Sequence, residues 1–273
     1  MPPPDAEPRS LASLVASVPW YHTIDLGGGV VTPGEYDHRS SVSRVPLPQS
    51  LAGQRCLDVG THDGFWAFEM ERRGASDVVA IDLDDWTRLD WPAPRPEVGT
   101  EMVDFLDRRR RAFSIAHQAL ASLVDRRDLS VYDLTVDEVG RFDLAFIGTL
   151  LHHLRDPVGA LMAIRRVVSG PLIVCGVISV SETIHHPWRP AAAMSHLDVP
   201  FWEVPNIAGL RRQITAGGWT IEQMTRPFFQ RFGAGATTES LRTAVRSPAG
   251  LPHRLLYRFG APHVAVLARP THR

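Results

Sequence analysis

The sequence contains no lysine, and arginine alone supplies its 29 permanently basic side chains. Acidic side chains number 30, so the formal net charge of -1 gives no global pull towards nucleic acid or anionic lipid. Only two cysteines occur in 273 residues. Both, Cys56 and Cys175, fall inside predicted core strands, which argues against a disulfide or a metal role. No apolar run approaches the roughly 20 residues that a membrane-spanning helix needs. The opening segment lacks the basic region and apolar core of a secretion signal, so a soluble cytoplasmic protein is the expectation. With 44% apolar residues, the chain suffices for one large α/β domain with additions.

What is present is concentrated between Arg55 and Asp82. Arg55-Cys-Leu-Asp-Val-Gly-Thr-His-Asp-Gly64 reads as an apolar strand and a tight glycine-bearing turn. One helix length later, Val78-Val-Ala-Ile-Asp82 is a second apolar strand ending on a carboxylate. Strand, turn, helix and strand in that order set backbone N–H groups and an acidic acceptor around one nucleoside-sized pocket, at the carboxyl edge of a parallel sheet. A dinucleotide site wants G-x-G-x-x-G, because pyrophosphate must approach the backbone closely. Here Gly60 and Gly64 are separated by Thr61, His62 and Asp63. That bulkier, partly anionic turn suits a cationic, amino-acid-bearing nucleoside, since Asp58 and Asp63 can face an ammonium. Asp82 stands where a carboxylate takes both ribose hydroxyls.

The core then alternates as a doubly wound α/β sheet should. Strands are expected near residues 55–60, 77–83, 129–133, 142–148 and 171–178, and helices near 64–73, 101–124 and 157–168. The third strand would end in Asp133, and the fourth opens into Thr149-Leu-Leu-His-His-Leu-Arg-Asp-Pro157, whose proline suits a first helical turn. Asn206 should cap a helix that Gly217-Gly218 ends, before last strands at Trp219–Met224 and His263–Ala268. Residues 1–10 read as a disordered, proline-rich tail, 11–54 as an N-terminal lid or cap segment, and 55–273 as the core. Within the core, 84–99 is a loop over the carboxyl edge, 179–205 is a lid-like insertion, and 233–258 is a variable connection with a short helix around Glu239 to Arg246.

The Gly60–Gly64 turn resembles the first motif of class I S-adenosylmethionine (SAM) methyltransferases, acidic-x-Gly-x-Gly-x-Gly, with His62 at the middle glycine. The segment after the fourth strand is similar to that family as well. The resemblance implies a Rossmann-like, seven-stranded, mostly parallel sheet, with SAM as cofactor and S-adenosylhomocysteine (SAH) as its product. It implies cofactor contacts from Asp58, Gly60, Thr61, His62, Asp63 and Gly64 to the methionine part. Asp82 and Leu83 would serve the ribose side, Asp133 and Leu134 the adenine, and Gly148 the end of the fourth strand.

A narrower resemblance spans Trp20 to Trp219. Trp20-Tyr-His-Thr-Ile-Asp-Leu, Val30-Val-Thr-Pro-Gly34, the turn with its following helix, and Trp202-Glu-Val-Pro-Asn-Ile-Ala-Gly-Leu210 look like the tRNA wobble-uridine methyltransferases of the 5-methoxy and carboxymethoxy type. Small-molecule tailoring enzymes share this group, so it leaves the acceptor open. The carboxymethyl-transferring members hold a carboxylated SAM derivative through a lysine and a tyrosine. This chain has no lysine, and Leu151 occupies the tyrosine's place. Burying a carboxylate unpaired would cost several kcal/mol, so plain SAM is expected. Arg108–Arg111 is a basic run suited to phosphate, but Glu101, Asp104 and Asp107 partly neutralise it at helical spacing. The expectation is therefore methyl transfer to a hydroxyl, amine or activated carbon of a small molecule, in biosynthesis. A tRNA acceptor is the alternative, and His62 leaves open a non-catalytic SAM-binding module.

Methyl transfer is an in-line displacement for which the protein aligns the partners and removes any proton on the nucleophile. His152 and His153 follow the fourth strand, where an imidazole could act as general base. The competing reading is that one of them packs or caps the helix at Pro157. Acceptor-binding candidates are Trp20, Tyr21 and His22 from the N-terminal segment, and His185, His186, Trp188, His196 and Trp202 from the insertion. Aromatic walls with few polar handles suit a planar or hydrophobic small molecule. Adjacent His185 and His186 aim their rings apart, with no carboxylate at ligand spacing, so no metal is expected.

Overall fold

Apolar runs too short for helices form the parallel centre of one sheet. In the computed structural model, which describes residues 10–92, 99–194, 201–236 and 260–271, these are β2 (Arg55–Val59), β3 (Asp77–Asp82), β5 (Leu144–Gly148) and β6 (Leu172–Val177). With β4 (Asp125–Asp128) they lie in the order β4-β3-β2-β5-β6. Their side chains are buried on both faces, which is why they read as unbroken hydrophobic runs rather than alternating ones. The long β11 (Ala261–Pro270) runs antiparallel to β6, and β9 (Trp219–Met224) pairs antiparallel with its second half. Seven is the expected number of strands, and six of them lie where they were expected. Two short additions, β10 (Phe228–Phe232) on the first half of β11 and β1 (Tyr36–Asp37) on β10, make nine among the described residues.

Helices cover both faces. Buried residues of α1 (Leu11–Ala16), α2 (Phe65–Arg72) and α3 (Thr100–Ala119) pack with Cys56, Phe146 and Cys175 on one side. Those of α4 (Val136–Val139), α5 (Pro157–Val167) and α7 (Ile207–Ala216) pack with Leu57, Val59 and Ile147 on the other. Neighbouring residues of β2 thus serve opposite layers, as strand geometry requires. Each fully buried side chain of this size contributes about 1.5–3 kcal/mol. Trp219 is wholly buried in the second layer and donates its indole N–H to the Leu161 carbonyl at 3.0 Å. The helix starts follow local chemistry. Asp156 caps α5 through Gly159 N–H at 2.7 Å with Pro157 in the first turn, and Asn206 caps α7 through Gly209 N–H at 2.6 Å.

The third strand departs from expectation. It is Asp125–Asp128, and Val131–Asp133 is a 3-10 turn. The observed strand lies at the sheet edge and is built from charged residues, a common protection of an exposed edge, while the apolar run after it turns into the core. The insertion at 179–205 also has structure: α6 (Val180–His185) and a two-stranded ribbon of β7 (Ala192–Met194) and β8 (Glu203–Pro205). Asn206 ties it down, because its amide donates to the carbonyls of His186 and Arg189 at 2.8 and 2.9 Å. No described helix is long and apolar enough to cross a membrane. The expected tail, the short helix around Glu239 and the candidate His196 lie outside the described residues.

Candidate functional site

The turn leaving β2 is shaped by three left-handed residues, Gly60 (φ 78°), His62 (φ 56°) and Gly64 (φ 96°). Gly64 is required as glycine, since a Cβ there would meet the Phe68 ring at 2.4 Å and Phe113 at 2.9 Å. His62 tolerates its conformation as histidine, asparagine and aspartate do more readily than bulky residues. Gly60 and Thr61 donate backbone N–H groups to the Ile81 carbonyl at 2.9 and 3.1 Å, locking the turn to the tip of β3. Asp82 completes the link, accepting from His62 N–H at 2.7 Å and from Leu83 N–H at 2.8 Å. Burial raises its carboxyl, against the pull of those N–H groups and of the Arg126 and Arg109 guanidinium groups.

Several buried polar atoms around this turn lack hydrogen-bond partners: Asp58 Oδ2, Thr61 Oγ1 and His62 Nδ1. Buried polar atoms are normally paired, so such a cluster marks a place that a polar ligand can complete. Burial pushes the Asp58 carboxyl up to about 7, although the nearby Thr61 hydroxyl and His22 pull the other way. A cationic group beside it would draw it back down. A carboxylate near the end of β2, a hydroxyl and an imidazole on the turn that follows, and Asp82 at the next strand tip fit the ammonium and ribose of a SAM-like cofactor.

Asp63 does not face that ammonium. It is fully buried and turned to the N-terminal segment, where one oxygen accepts from the N–H groups of Tyr21 and His22, each at 2.8 Å. Its other oxygen meets His22 Nδ1. Burial alone would raise this carboxyl, but the His22 imidazole, His62 and the His22 N–H hold it well below the usual carboxylate range. Asp63 thus departs from the expectation that it faces a ligand, and anchors the N-terminal segment instead.

That anchor brings Tyr21 and His22 to the turn. The Tyr21 ring stacks on His62 at 4.5 Å, and the Arg109 guanidinium lies 5.2 Å from its centre. His22 stacks on Phe65 at 5.5 Å and meets His38 edge-on at 4.7 Å. Trp20 instead packs in the core, donating its indole N–H to the Val15 carbonyl. At the end of β5, Gly148 is followed by Thr149, a β-branched residue at φ 54°. Its hydroxyl lies 3.2 Å from His263 Nε2, while His263 Nδ1 meets the Ala261 carbonyl at 2.8 Å. The carbonyl takes the Nδ1 proton, so the threonine hydroxyl donates to Nε2. Strain of this kind concentrates at functional sites. Sequence reading missed Thr149, His263 and His38; the glycine-like backbone at Thr149 has no signature in residue type.

His152 and His153 stand next, with ring centres 4.0 Å apart and Phe201 beside both. His152, with Thr149, Gly176, Val177 and Leu210, lines a small cavity of about 10 Å³. Burial, then His153 and His263, push His152 well below its ordinary value. Trp202 fastens the insertion here, donating its N–H to the His152 carbonyl and its indole N–H to the Asp90 carbonyl, both at 2.8 Å. Other candidates are not gathered. Asp133 is exposed at its 3-10 turn rather than at a strand tip, and Leu134 is fully buried in the second core layer. His185 and His186 are exposed, with local partners in Ser181 and Glu182, and Trp188 is 90% exposed.

The strand order, the antiparallel β11 and the site at the carboxyl edge define the class I, Rossmann-like methyltransferase fold. Solved structures agree: the chain superposes on the N-terminal domain of EvdMO1, crystallised in the presence of SAH and D-fucose, with TM-score 0.52 and 15% identity over 95% of each chain. A putative methyltransferase from Bacillus halodurans gives TM-score 0.51 and 15% identity, covering 85% of this chain and 98% of that one. Among curated proteins, the tRNA U34 carboxymethyltransferase of Pseudomonas paraeruginosa is 24% identical over 217 residues, 78% of this chain and 59% of that protein. The ubiquinone biosynthesis O-methyltransferase of Acinetobacter baylyi is 27% identical over 118 residues, 43% of this chain and 40% of that protein. The chain thus spans less than two thirds of the length of these curated relatives. No family model matches the sequence.

Proposed function

We propose that the protein is a SAM-dependent methyltransferase acting on a small-molecule hydroxyl, amine or activated carbon. The observation that carries this reading is the set of unpartnered buried polar atoms on Asp58, Thr61 and His62, beside the Asp82 carboxylate. Asp82 would take the ribose hydroxyls with Leu83 beside it, and Asp58 the ammonium of the methionine part. When bound, SAM supplies an electrophilic sulfonium methyl. Tyr21, His22 and His62 wall the turn, and Thr149 with His152 and His153 borders the β5 side, so an acceptor between them is held by aromatic faces and a few polar atoms. His152, disfavoured as a cation, suits a neutral hydrogen-bonding wall better than a proton acceptor. His153 remains beside it as a more accessible imidazole.

Titration calorimetry with SAH tests the cofactor assignment. The wild type should bind, and Asp82→Ala should weaken binding by about 10-fold or more, since a charge-assisted hydrogen bond contributes about 1.5–3 kcal/mol. Absence of binding by the wild type would refute the reading. A tRNA acceptor is the second reading, favoured by the likeness to the carboxymethyltransferase and by Arg108–Arg111. Arg109 lies over Tyr21 rather than out in a phosphate-binding row, which weakens it. Affinity for tRNA that is flat between low and moderate salt would dismiss that alternative.

A further inference from the structure

Five imidazoles from four parts of the chain meet at the carboxyl edge. His22 touches His38 and lies 6.1 Å from the His62 ring. His38 is electrostatically coupled to both His22 and His263, and His152 to His263. Removing a hydroxyl proton during methyl transfer requires a nitrogen that can carry positive charge, and four of these rings are poorly placed for it. Burial pushes His38, His62 and His152 well below their ordinary value, and His263 to about 4.

His22 is different, because within this group it alone has a carboxylate against its ring. The ionised Asp63 can only accept, so His22 Nδ1 carries the hydrogen and Nε2 keeps its lone pair. Among the described residues Nε2 has no hydrogen-bond partner, although the side chain is only 6% exposed. A carboxylate that fixes one imidazole nitrogen and stabilises the cation formed at the other is the arrangement by which histidine serves as a general base. Asp63 is itself on the cofactor turn, so the pair is rigidly registered to whatever that turn binds. The charged and titratable groups facing His22 are Asp63 and His62 of the turn, Asp58 of β2, and Tyr21 and His38 of the N-terminal segment.

We propose that the His22–Asp63 pair is the general base that deprotonates a hydroxyl acceptor in this site, an inference resting on the methyltransferase reading above. The hydroxyl proton passes to His22 Nε2 as the oxygen bonds the methyl carbon. The electron pair of the breaking carbon–sulfur bond stays on sulfur, leaving a neutral thioether, and the imidazolium later returns its proton to solvent. A base at this position suits an acceptor that must lose a proton as it is methylated, and a hydroxyl is the acceptor proposed.

Nitrogen NMR of histidine-labelled protein tests this, with His22→Asn identifying the His22 signals. The probes are SAH, which lacks the transferred methyl, and sinefungin, which carries an amine-bearing carbon in the methyl's place. His22 should show a hydrogen on Nδ1 and a bare Nε2. The Nε2 resonance should shift on replacing SAH by sinefungin, a change that a purely structural staple would not show. His22→Asn, whose amide can still donate to Asp63, should keep its melting temperature and bind SAH within a few-fold of wild type. A hydrogen on Nε2 at all pH values, or identical Nε2 signals in the two complexes, would overturn the proposal. Failure of wild type to bind either probe would instead strike at the methyltransferase reading.

Discussion

Replacing Asp63 with alanine gives the sharpest test of how the N-terminal segment is attached. The substitution strands three donors, the backbone N–H groups of Tyr21 and His22 and the ring N–H of His22, in a region that solvent barely reaches. Each buried donor left without a partner costs about 1–3 kcal/mol. Some relaxation and entry of a water reduce the sum, so a loss of about 3–6 kcal/mol is expected, a large share of the 5–15 kcal/mol typical of a folded domain. Asp63→Asn keeps one acceptor oxygen and should lose about 1–2 kcal/mol. Urea denaturation at neutral pH reads both values, and hydrogen exchange should show the N-terminal segment opening in the alanine variant. The pH dependence has a definite sign. The folded carboxyl lies below the unfolded value of about 3.9, so its stabilisation is present above that value and fades as pH falls below about 4. An alanine variant within about 1 kcal/mol of wild type would refute the account of the staple.

Asp58 predicts the opposite sign. Its folded value near 7 means that the ligand-free protein gains stability from protonated Asp58, fully below pH about 4 and lost as pH rises through 7. Binding a ligand ammonium should ionise it, so SAH affinity should rise by up to about 10-fold per pH unit below 7, with proton release visible by calorimetry in two buffers. Asp58→Asn should flatten that dependence; a pH-independent wild type would count against it. Gly64→Ala should destabilise by about 2–4 kcal/mol, combining left-handed backbone strain with collision against Phe68 and Phe113, and a near-neutral result in urea melts would contradict the geometry. Asn206→Ala should cost about 2–4 kcal/mol and speed proteolytic cleavage within 186–205, because one buried side chain caps α7 and holds the insertion; unchanged cleavage would argue against that anchoring.

The parallel core was legible because strands buried on both faces leave continuous apolar runs, and because Pro157, Asn206 and the paired glycines 217–218 mark helix limits locally. The edge strand was not legible. Asp125-Arg-Arg-Asp carries the polarity of a loop, so the apolar residues after it attracted the assignment, and Asp133 was placed at a strand tip it does not occupy. Asp58, Gly60 and Asp82 stand where the motif order placed them. Asp63 shows the limit of local reading. Whether a turn carboxylate faces ligand or protein depends on contacts 41 and 42 positions away in sequence, with Tyr21 and His22. Thr149 and His263 are likewise joined across 114 positions. Position after the fourth strand singled out His152 and His153, whereas burial and partners, which separate the five converging rings, belong to the tertiary structure.

The split pairing of β11 bears on how the chain matures. Its first half accepts β10, which accepts β1, while Tyr21 and His22, well ahead of β1, grip the glycine turn. A nascent chain with every expected cofactor-contacting residue already synthesised could hold those two on Asp63, yet Tyr36 and Asp37 would lack their strand partners until residues 228–232 emerged. Closing of the N-terminal segment onto the sheet is thus a late event in biogenesis, and shortened translation products should accumulate as clients of chaperones.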